Sequence, residues 1–477
     1  MTEPQSPSPL GGGSGTKHQS PSPLGGGYDV VIRARRVVSG NGVVPACIGI
    51  RNGRIATVAG YEERLNAART VVFDADVALL PGVVDSHVHI CEPGNTDWEG
   101  FESATRAAAA GGITTLVDMP IDSVPATVTL EALEAKRASA RDQCFVDVGF
   151  WGGAVPGNLF DMRQLREGGV VGFKCFLVDP GVPDFPPLDA IGMEQALAVA
   201  RDLDAPLLVH AESAELIADS TLVNSRKYGD YLASRPKETE NRAVGQVIAA
   251  ARHTGGHAHV VHLSSSEAIA MLAAARQTGV RVTAETCPHY LTLAAEDIPD
   301  GATAFKCSPP IREASNRDSL WGGLQDGVID LIVSDHSPCT VAMKELASGN
   351  FGAAWGGVSS LQLSLSTVWT EARRRNHGLH EIAVWMSERP AKLAGLTRKG
   401  KIGPGFDADF CVLAPDESFV VNPDRLHHRN PLTPYAGRRL MGVVRETWLR
   451  GEPVDLRSPR GQLLDRGATA AVQPIPK

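Results

Sequence analysis

Between roughly residues 81 and 395 the chain alternates short apolar runs with alanine-rich stretches, and this alternation restricts the fold more than any other feature. The strand candidates are VVDSHVHI, ITTLVDMP, VDVGFWGGA, VGFKCF, PLLVHAE, HVVHLSS, RVTAETCPH and IDLIVSDHS. Between them fall helical stretches such as ESATRAAAAGG, MEQALAVARDL and ENRAVGQVIAAARHTG. Eight strand–helix units over roughly 300 residues predict a closed (β/α)8 TIM barrel, an α/β fold whose active site lies at the carboxyl ends of its strands.

The flanks have a different texture. YDVVIRARRVV, CIGIRNGRIATVAG and RTVVFDADVALLP read as strands punctuated by Gly and Asn, and similar runs return in GPGFDADFCVLAP and GVVRETWLRGEP. Residues 28–80 together with 400–460 are therefore expected to form one small β-sandwich domain, with the barrel at 81–399 inserted between its halves. Residues 461–477 read as a C-terminal tail. QSPSPLGGG occurs at 5–13 and again at 19–27. Such a composition buries too little apolar surface to offset ordering, so residues 1–27 are expected to be a disordered Pro/Ser/Gly-rich extension. It has no charged start followed by an apolar core, so it does not read as a secretory signal.

A net charge of -8, with no basic cluster, argues against a nucleic-acid partner. No apolar run approaches the roughly 18 to 20 residues that cross a bilayer, which argues against a membrane span. The eight cysteines, at 47, 91, 144, 175, 287, 307, 339 and 411, show no pair two residues apart. Neither a zinc ribbon nor a redox pair is suggested, and reduced thiols in a cytoplasmic protein are the simpler expectation.

Five of the strand candidates carry an unusual polar group at or near their ends: His87 and His89, Lys174, His210, His262, and Asp335. They fall on strands one, four, five, six and eight. His87 and His89 are two apart, so on a strand both face one side. An HxH pair is weak evidence alone, because packed core histidines are common. Together these groups are hard to explain as unrelated core residues, and neutral imidazoles with a carboxylate are what a hydrolytic metal centre needs.

Lys174 is the odd member, since an ammonium repels cations. Beside Phe173 and Phe176 its amine should lose a proton more easily than in water. A neutral amine can take up carbon dioxide as a carbamate, whose two oxygens can face two cations. A lysine snorkelling at the barrel rim is the alternative reading, and the other five groups weigh against it. Four imidazoles, one carbamate, one aspartate and a hydroxide would leave two divalent ions with a residual charge of +1.

With these residues in view, the chain resembles the cyclic amidohydrolases of the dihydroorotase, hydantoinase and allantoinase group, over roughly residues 28 to 460. The resemblance implies that His87, His89 and Asp335 hold one metal and that His210 and His262 hold the other. Carboxylated Lys174 would bridge them. It implies two divalent ions per subunit, zinc first, with manganese, cobalt or iron also suited. It further implies a homotetramer.

Within the group, EPGNTDWEGFESATRAAAAGGITT, ETCPHY, KCSPPIR and AWGGVSSLQ resemble the allantoinase branch. Cys91 stands where dihydroorotases usually carry an arginine for the substrate carboxylate, so no bidentate partner is available for that group. Hydantoinases usually carry an asparagine in the loop matching Trp355, Gly356 and Gly357, where this chain has glycine. The implied reaction is opening of the hydantoin ring of allantoin to give allantoate, with Asp335 and Lys174 as the catalytic side chains. Cys307, Ser308 and Gly356 are the candidate substrate contacts. Cys307 and Trp355 read equally well as packing. His289 and His336 read as supporting residues, and Asp85 as either a neighbour of the ligands or a filled layer of the barrel. A hydantoinase or dihydropyrimidinase acting on another cyclic amide is the first alternative. A non-catalytic scaffold is the second, although such relatives typically lose metal ligands and none is lost here.

Overall fold

The computed structural model describes residues 27–39, 42–217 and 224–465. The extension expected over 1–27 lies outside these apart from its last residue, as does most of the expected tail, residues 466–477.

The strands run in chain order as β1 (Tyr28–Ser39), β2 (Gly42–Arg51), β3 (Arg54–Gly60), β4 (Ala67–Val72), β5 (Ala78–Pro81), β6 (Val83–Val88), β7 (Ile113–Asp118), β8 (Asp147–Phe150) and β9 (Gly152–Gly153). They continue as β10 (Phe173–Phe176), β11 (Leu207–His210), β12 (Ala258–Val260), β13 (Val282–Thr286), β14 (Leu331–Ile332), β15 (Phe410–Val420), β16 (Arg439–Leu449) and β17 (Glu452–Pro453).

β6 to β14 form the barrel. One parallel sheet runs β6-β7-β8 and another runs β9-β10-β11-β12-β13-β14. β8 and β9 are one chain run interrupted at Trp151, whose backbone N–H still bonds Asp118. The ring closes between its first and last members. Val88 bridges His336 in parallel, and the His89 N–H donates to the His336 carbonyl at 2.9 Å. These strands are buried on both faces along their length, as a parallel barrel requires, and polar residues are interspersed among the apolar ones.

The helices of the outer layer start and stop where their chemistry dictates. Thr129 and Asp189 cap Leu130–Ala140 and Ala190–Asp202 by accepting backbone N–H groups. Lys237–Thr254 ends at Gly255, whose φ of 70° is the left-handed turn that favours glycine. On Phe101–Ala110 the buried face is largely alanine, which lets the helix approach the strands closely.

The flanking segments join in one hydrogen-bonded sheet of order β17-β16-β15-β5-β1-β2-β3, with β4 beside β1. β5 comes from the first flank and β15 from the second, and they pair antiparallel from Pro81↔Phe410 to Ala78↔Leu413. This β domain built from both flanks has a core of its own around Ile32, Ile48, Phe410 and Trp448. Lys399 ties it to the barrel. Its Nζ lies 2.6 Å from Asp147 at the start of β8 and 2.6 Å from Asp409 beside β15. The described end of the chain also docks on the barrel: Leu463 bridges Val148, and the Leu464 N–H donates to the Val148 carbonyl. Among the described residues no helix is long and apolar enough to cross a membrane.

Candidate active site

The nine residues singled out from the sequence, His87, His89, Lys174, His210, His262, Cys307, Ser308, Asp335 and Gly356, all line one cavity of about 360 Å³. Its floor is made by strand ends, because alternation along β6 turns both His87 and His89 inward, while β10 and β11 deliver Lys174 and His210. His262 and Asp335 follow β12 and β14 at φ 39° and 45°, a region that non-glycine residues rarely occupy. Such backbone strain is concentrated at sites where side-chain aim matters.

Three of the four imidazoles are held with one nitrogen committed. His87 Nδ1 lies 2.5 Å from Glu285 Oε1, and His89 Nδ1 lies 2.7 Å from Asp122 Oδ2. That leaves both Nε2 atoms facing Asp335 Oδ1, at 3.3 and 3.7 Å. In His210 the roles reverse, since Nε2 contacts Glu212 at 2.8 Å and Nδ1 is the nitrogen left over. His262 Nδ1 has no hydrogen-bond partner in the protein. The His210 and His262 rings are 4.5 Å apart, and His87 and His262 are 5.4 Å apart.

Lys174 Nζ is buried, lies 4.7 Å from the centre of the Phe176 ring, and has no hydrogen-bond partner. Burial pushes its amine down to about 8, against the opposing pull of Glu285 and Asp335. Desolvation likewise holds His87, His210 and His262 below the usual histidine range, His262 far below it. For His89 burial acts in the same direction, but the Asp122 carboxylate outweighs it and raises the ring. Burial opposes ionisation of Asp335, yet His87, His89 and His289 keep its carboxyl below the ordinary range. Ser337 Oγ donates to Asp335 Oδ1 at 2.7 Å.

These observations fit bound cations. His87, His89 and Asp335 bring ligand atoms within 4.8 Å of one another, and no hydrogen bond joins the imidazoles to that aspartate. The orphaned Lys174 amine and His262 nitrogen would each cost free energy in a dry pocket unless something else satisfied them.

Around this floor, Tyr231 Oη donates to the Cys307 carbonyl and lies 2.7 Å from Ser308 Oγ. Cys307 itself turns its thiol to the Pro309 carbonyl at 3.4 Å, and burial pushes that thiol up to about 12. A Cβ on Gly356 would meet Ser308 alone, its Oγ at 3.7 Å and its backbone nitrogen at 4.0 Å, so glycine there leaves space in the cavity. Gly357 is different. Its φ is 132°, and a Cβ would run into the Ser337 carbonyl at 2.2 Å.

Of the expected supporting residues, His336 is pinned by Glu99 at 2.9 Å and by the Ser360 N–H at 3.1 Å. His289 is buried beside Asp335 with neither ring nitrogen hydrogen-bonded, and burial pushes it down to about 4. Asp85 accepts the N–H groups of His87 and Ser334 beneath the site, and burial pushes it up to about 7. The carboxylates Asp122, Glu212 and Glu285, which aim three imidazoles, were not singled out from the sequence. Glu285 did leave a trace there, as a charged residue inside the apolar run RVTAET.

A parallel barrel with inward histidines and an aspartate converging at its carboxyl rim defines a metal-dependent hydrolase. The comparisons narrow this: residues 78–454 match the model of the amidohydrolase family, and the chain belongs to that family. An allantoinase of Streptomyces avermitilis is 50% identical over 92% of this chain and 99% of its own length. An allantoinase of Arabidopsis thaliana is 42% identical over 89% of this chain and 87% of its own. Among solved structures, an L-hydantoinase (dihydropyrimidinase) from Arthrobacter aurescens superimposes with a TM-score of 0.85 at 29% identity, covering 92% of this chain and 97% of that one.

Proposed function

We propose that this chain hydrolyses allantoin to allantoate at a centre of two divalent cations. The observation that carries the proposal is the convergence of four imidazoles, Asp335 and the orphaned Lys174 amine in one cavity. The 50% identity with an allantoinase over nearly the whole of both chains favours allantoin over other cyclic amides.

In this reading His87, His89 and Asp335 would hold one cation and His210 and His262 the other. Lys174, whose amine burial pushes down to about 8, would take up carbon dioxide with loss of a proton to solvent. The carbamate would supply negatively charged oxygen ligands to both cations. Zinc is the first candidate. When bound, the cations supply Lewis acidity to a ring carbonyl and make water nucleophilic at neutral pH.

The protein's own groups do the rest. Asp335, held ionised, accepts a proton from the attacking water on a carboxylate oxygen as the water oxygen bonds to the carbonyl carbon. The ring C–N bond then breaks, and Asp335 returns that proton to the departing nitrogen. Ser337 fixes the carboxylate during both transfers. Allantoin is uncharged, so Ser308, the backbone near Cys307 and the space left by Gly356 suit it through hydrogen bonds and fit. A homotetrameric, cytoplasmic enzyme belongs to the same proposal, and every cysteine is a free, buried thiol.

Purified protein incubated separately with allantoin, hydantoin, dihydrouracil and dihydroorotate tests the assignment. Allantoin should be consumed fastest, and elemental analysis should give two divalent ions per chain. Negligible allantoin turnover beside rapid hydantoin opening would overturn it.

A further inference from the structure

The amino ends of the barrel strands, opposite the histidine-lined cavity, carry two further cavities. One of about 370 Å³ and another of about 590 Å³ share His257, Arg281, Lys392 and Leu393 as a common wall. Both volumes are in the range of small-molecule sites. In a barrel of this kind that face ordinarily serves stability, so a cleft lined by cations there calls for a reason.

The surrounding charges are mostly committed. Arg166 donates to the carbonyls of Leu203, Val170 and Asp204, and Arg201 to Asp202 and the Thr254 carbonyl. The Asp330 carboxylate is taken by Arg276 and by the Ala284 N–H. Arg281 and Lys392, in contrast, have no ion pair or side-chain hydrogen bond among the described residues. Single unpaired cations are ordinary on a surface. Here two exposed cations, Arg281 and Lys392, flank one half-buried histidine on the wall shared by the two lobes.

His257 registers the result. Its Nε2 contacts Thr283 Oγ1 at 2.8 Å, and its ring is pushed down to about 4, first by burial and then by His259, Arg281, Arg276 and Lys392. Three side-chain cations thus act on this ring after burial, although Asp204 and Asp330 also line the two lobes.

We propose that this rear cleft binds a small phosphate-bearing molecule, with Arg281 and Lys392 on either side of the phosphate and His257 between them. A guanidinium matches phosphate oxygens in pairs, and an ammonium adds a point charge. Val280, Leu331 and Leu393 in the larger lobe give the organic part of such a ligand an apolar surface. Val280, Leu331 and Leu393 are each no more than 9% exposed, so they offer a bilayer little apolar surface, which favours a soluble ligand over a lipid headgroup.

Isothermal titration of the metal-loaded enzyme with inorganic phosphate and with adenosine 5′-monophosphate, at constant ionic strength, tests the proposal. Saturable binding should weaken at least tenfold in an Arg281→Gln, Lys392→Gln double variant and severalfold in Lys392→Gln alone. Melting curves of the variants confirm that they are folded. No saturable binding by the parent enzyme, or equal binding by the double variant, would overturn the site. Capture on phosphatidic-acid vesicles without binding of either soluble phosphate would overturn the choice of ligand.

Discussion

The Nδ1 atom of His87 lies 2.5 Å from Oε1 of Glu285, and both residues are fully buried. The same carboxylate reaches His259 Nε2 with its other oxygen at 2.9 Å, and His259 Nδ1 meets Thr283 Oγ1 at 2.8 Å. A carboxylate in this setting would ordinarily resist ionisation. The two imidazoles outweigh its burial and hold Glu285 well below the usual range. The charge is thus fixed behind the ring and sets which nitrogen of His87 faces the cavity.

Glu285→Gln therefore tests aim rather than ligation. The amide presents one acceptor where the carboxylate has two, so His87 and His259 compete for it. Outer partners of this kind are worth roughly 10- to 100-fold in metal affinity or activity. Metal content after dialysis against a weak chelator should fall, with kcat falling alongside. Unchanged metal retention would show that Glu285 does not orient the ligand.

Lys174→Ala removes the proposed bridge and leaves two clustered cations without its negative charge. Metal binding and hydrolysis should both collapse, with partial return on adding acetate or propionate, which can occupy the vacated space. Full activity in the untreated variant would refute the bridging role. Bicarbonate should speed recovery of the metal-stripped parent enzyme and leave this variant unaffected.

Much of this arrangement was legible along the chain because each of the six groups is a polar residue terminating an apolar strand, and strand ends in a barrel share one rim. The partners that aim them obey a different logic. Asp122 meets His89 only because the β7 loop turns back at φ 69°, which no local pattern announces. Glu212 lies two residues past His210 and Glu285 sits inside a strand, so both were visible as charges out of place. Their meaning depended on which ring lay opposite. The pairing of Leu463 with Val148 was beyond reach, since it joins residues 315 apart through backbone bonds that carry no side-chain signature.

Gly356→Asn probes substrate choice. The glycine leaves its position facing Ser308 open, and an amide side chain there would project into the cavity at ordinary contact distance. Allantoin carries a ureido group that hydantoin lacks, so the substitution should cost allantoin about 10-fold or more in kcat/KM, which is about 1.4 kcal/mol of discrimination. Hydantoin turnover should hold or rise. Equal losses on both substrates would mean that Gly356 serves the loop and not the choice of ring. Gly357 offers the contrast, because its φ and its approach to Ser337 leave no room for any side chain.

The rear histidine gives a pH dependence whose sign can be worked out. His257 is pushed down to about 4 in the folded chain, by burial first and then by His259, Arg281, Arg276 and Lys392, against 6.5 for a free histidine. Between these values the unfolded chain holds a proton that the folded chain lacks. Acid therefore favours unfolding, and stability present above pH 6.5 is lost as the pH falls towards 4. A displacement of this size corresponds to about 3 kcal/mol. His257→Gln keeps a hydrogen-bonding group near Thr283 and cannot titrate. Urea unfolding at pH 7 and pH 4.5 should show the parent losing about 2–3 kcal/mol more than the variant between the two, since the carboxylates titrate alike in both. Equal losses would mean that His257 takes up its proton without penalty, and that the positive field around it is weaker than Arg281 and Lys392 imply.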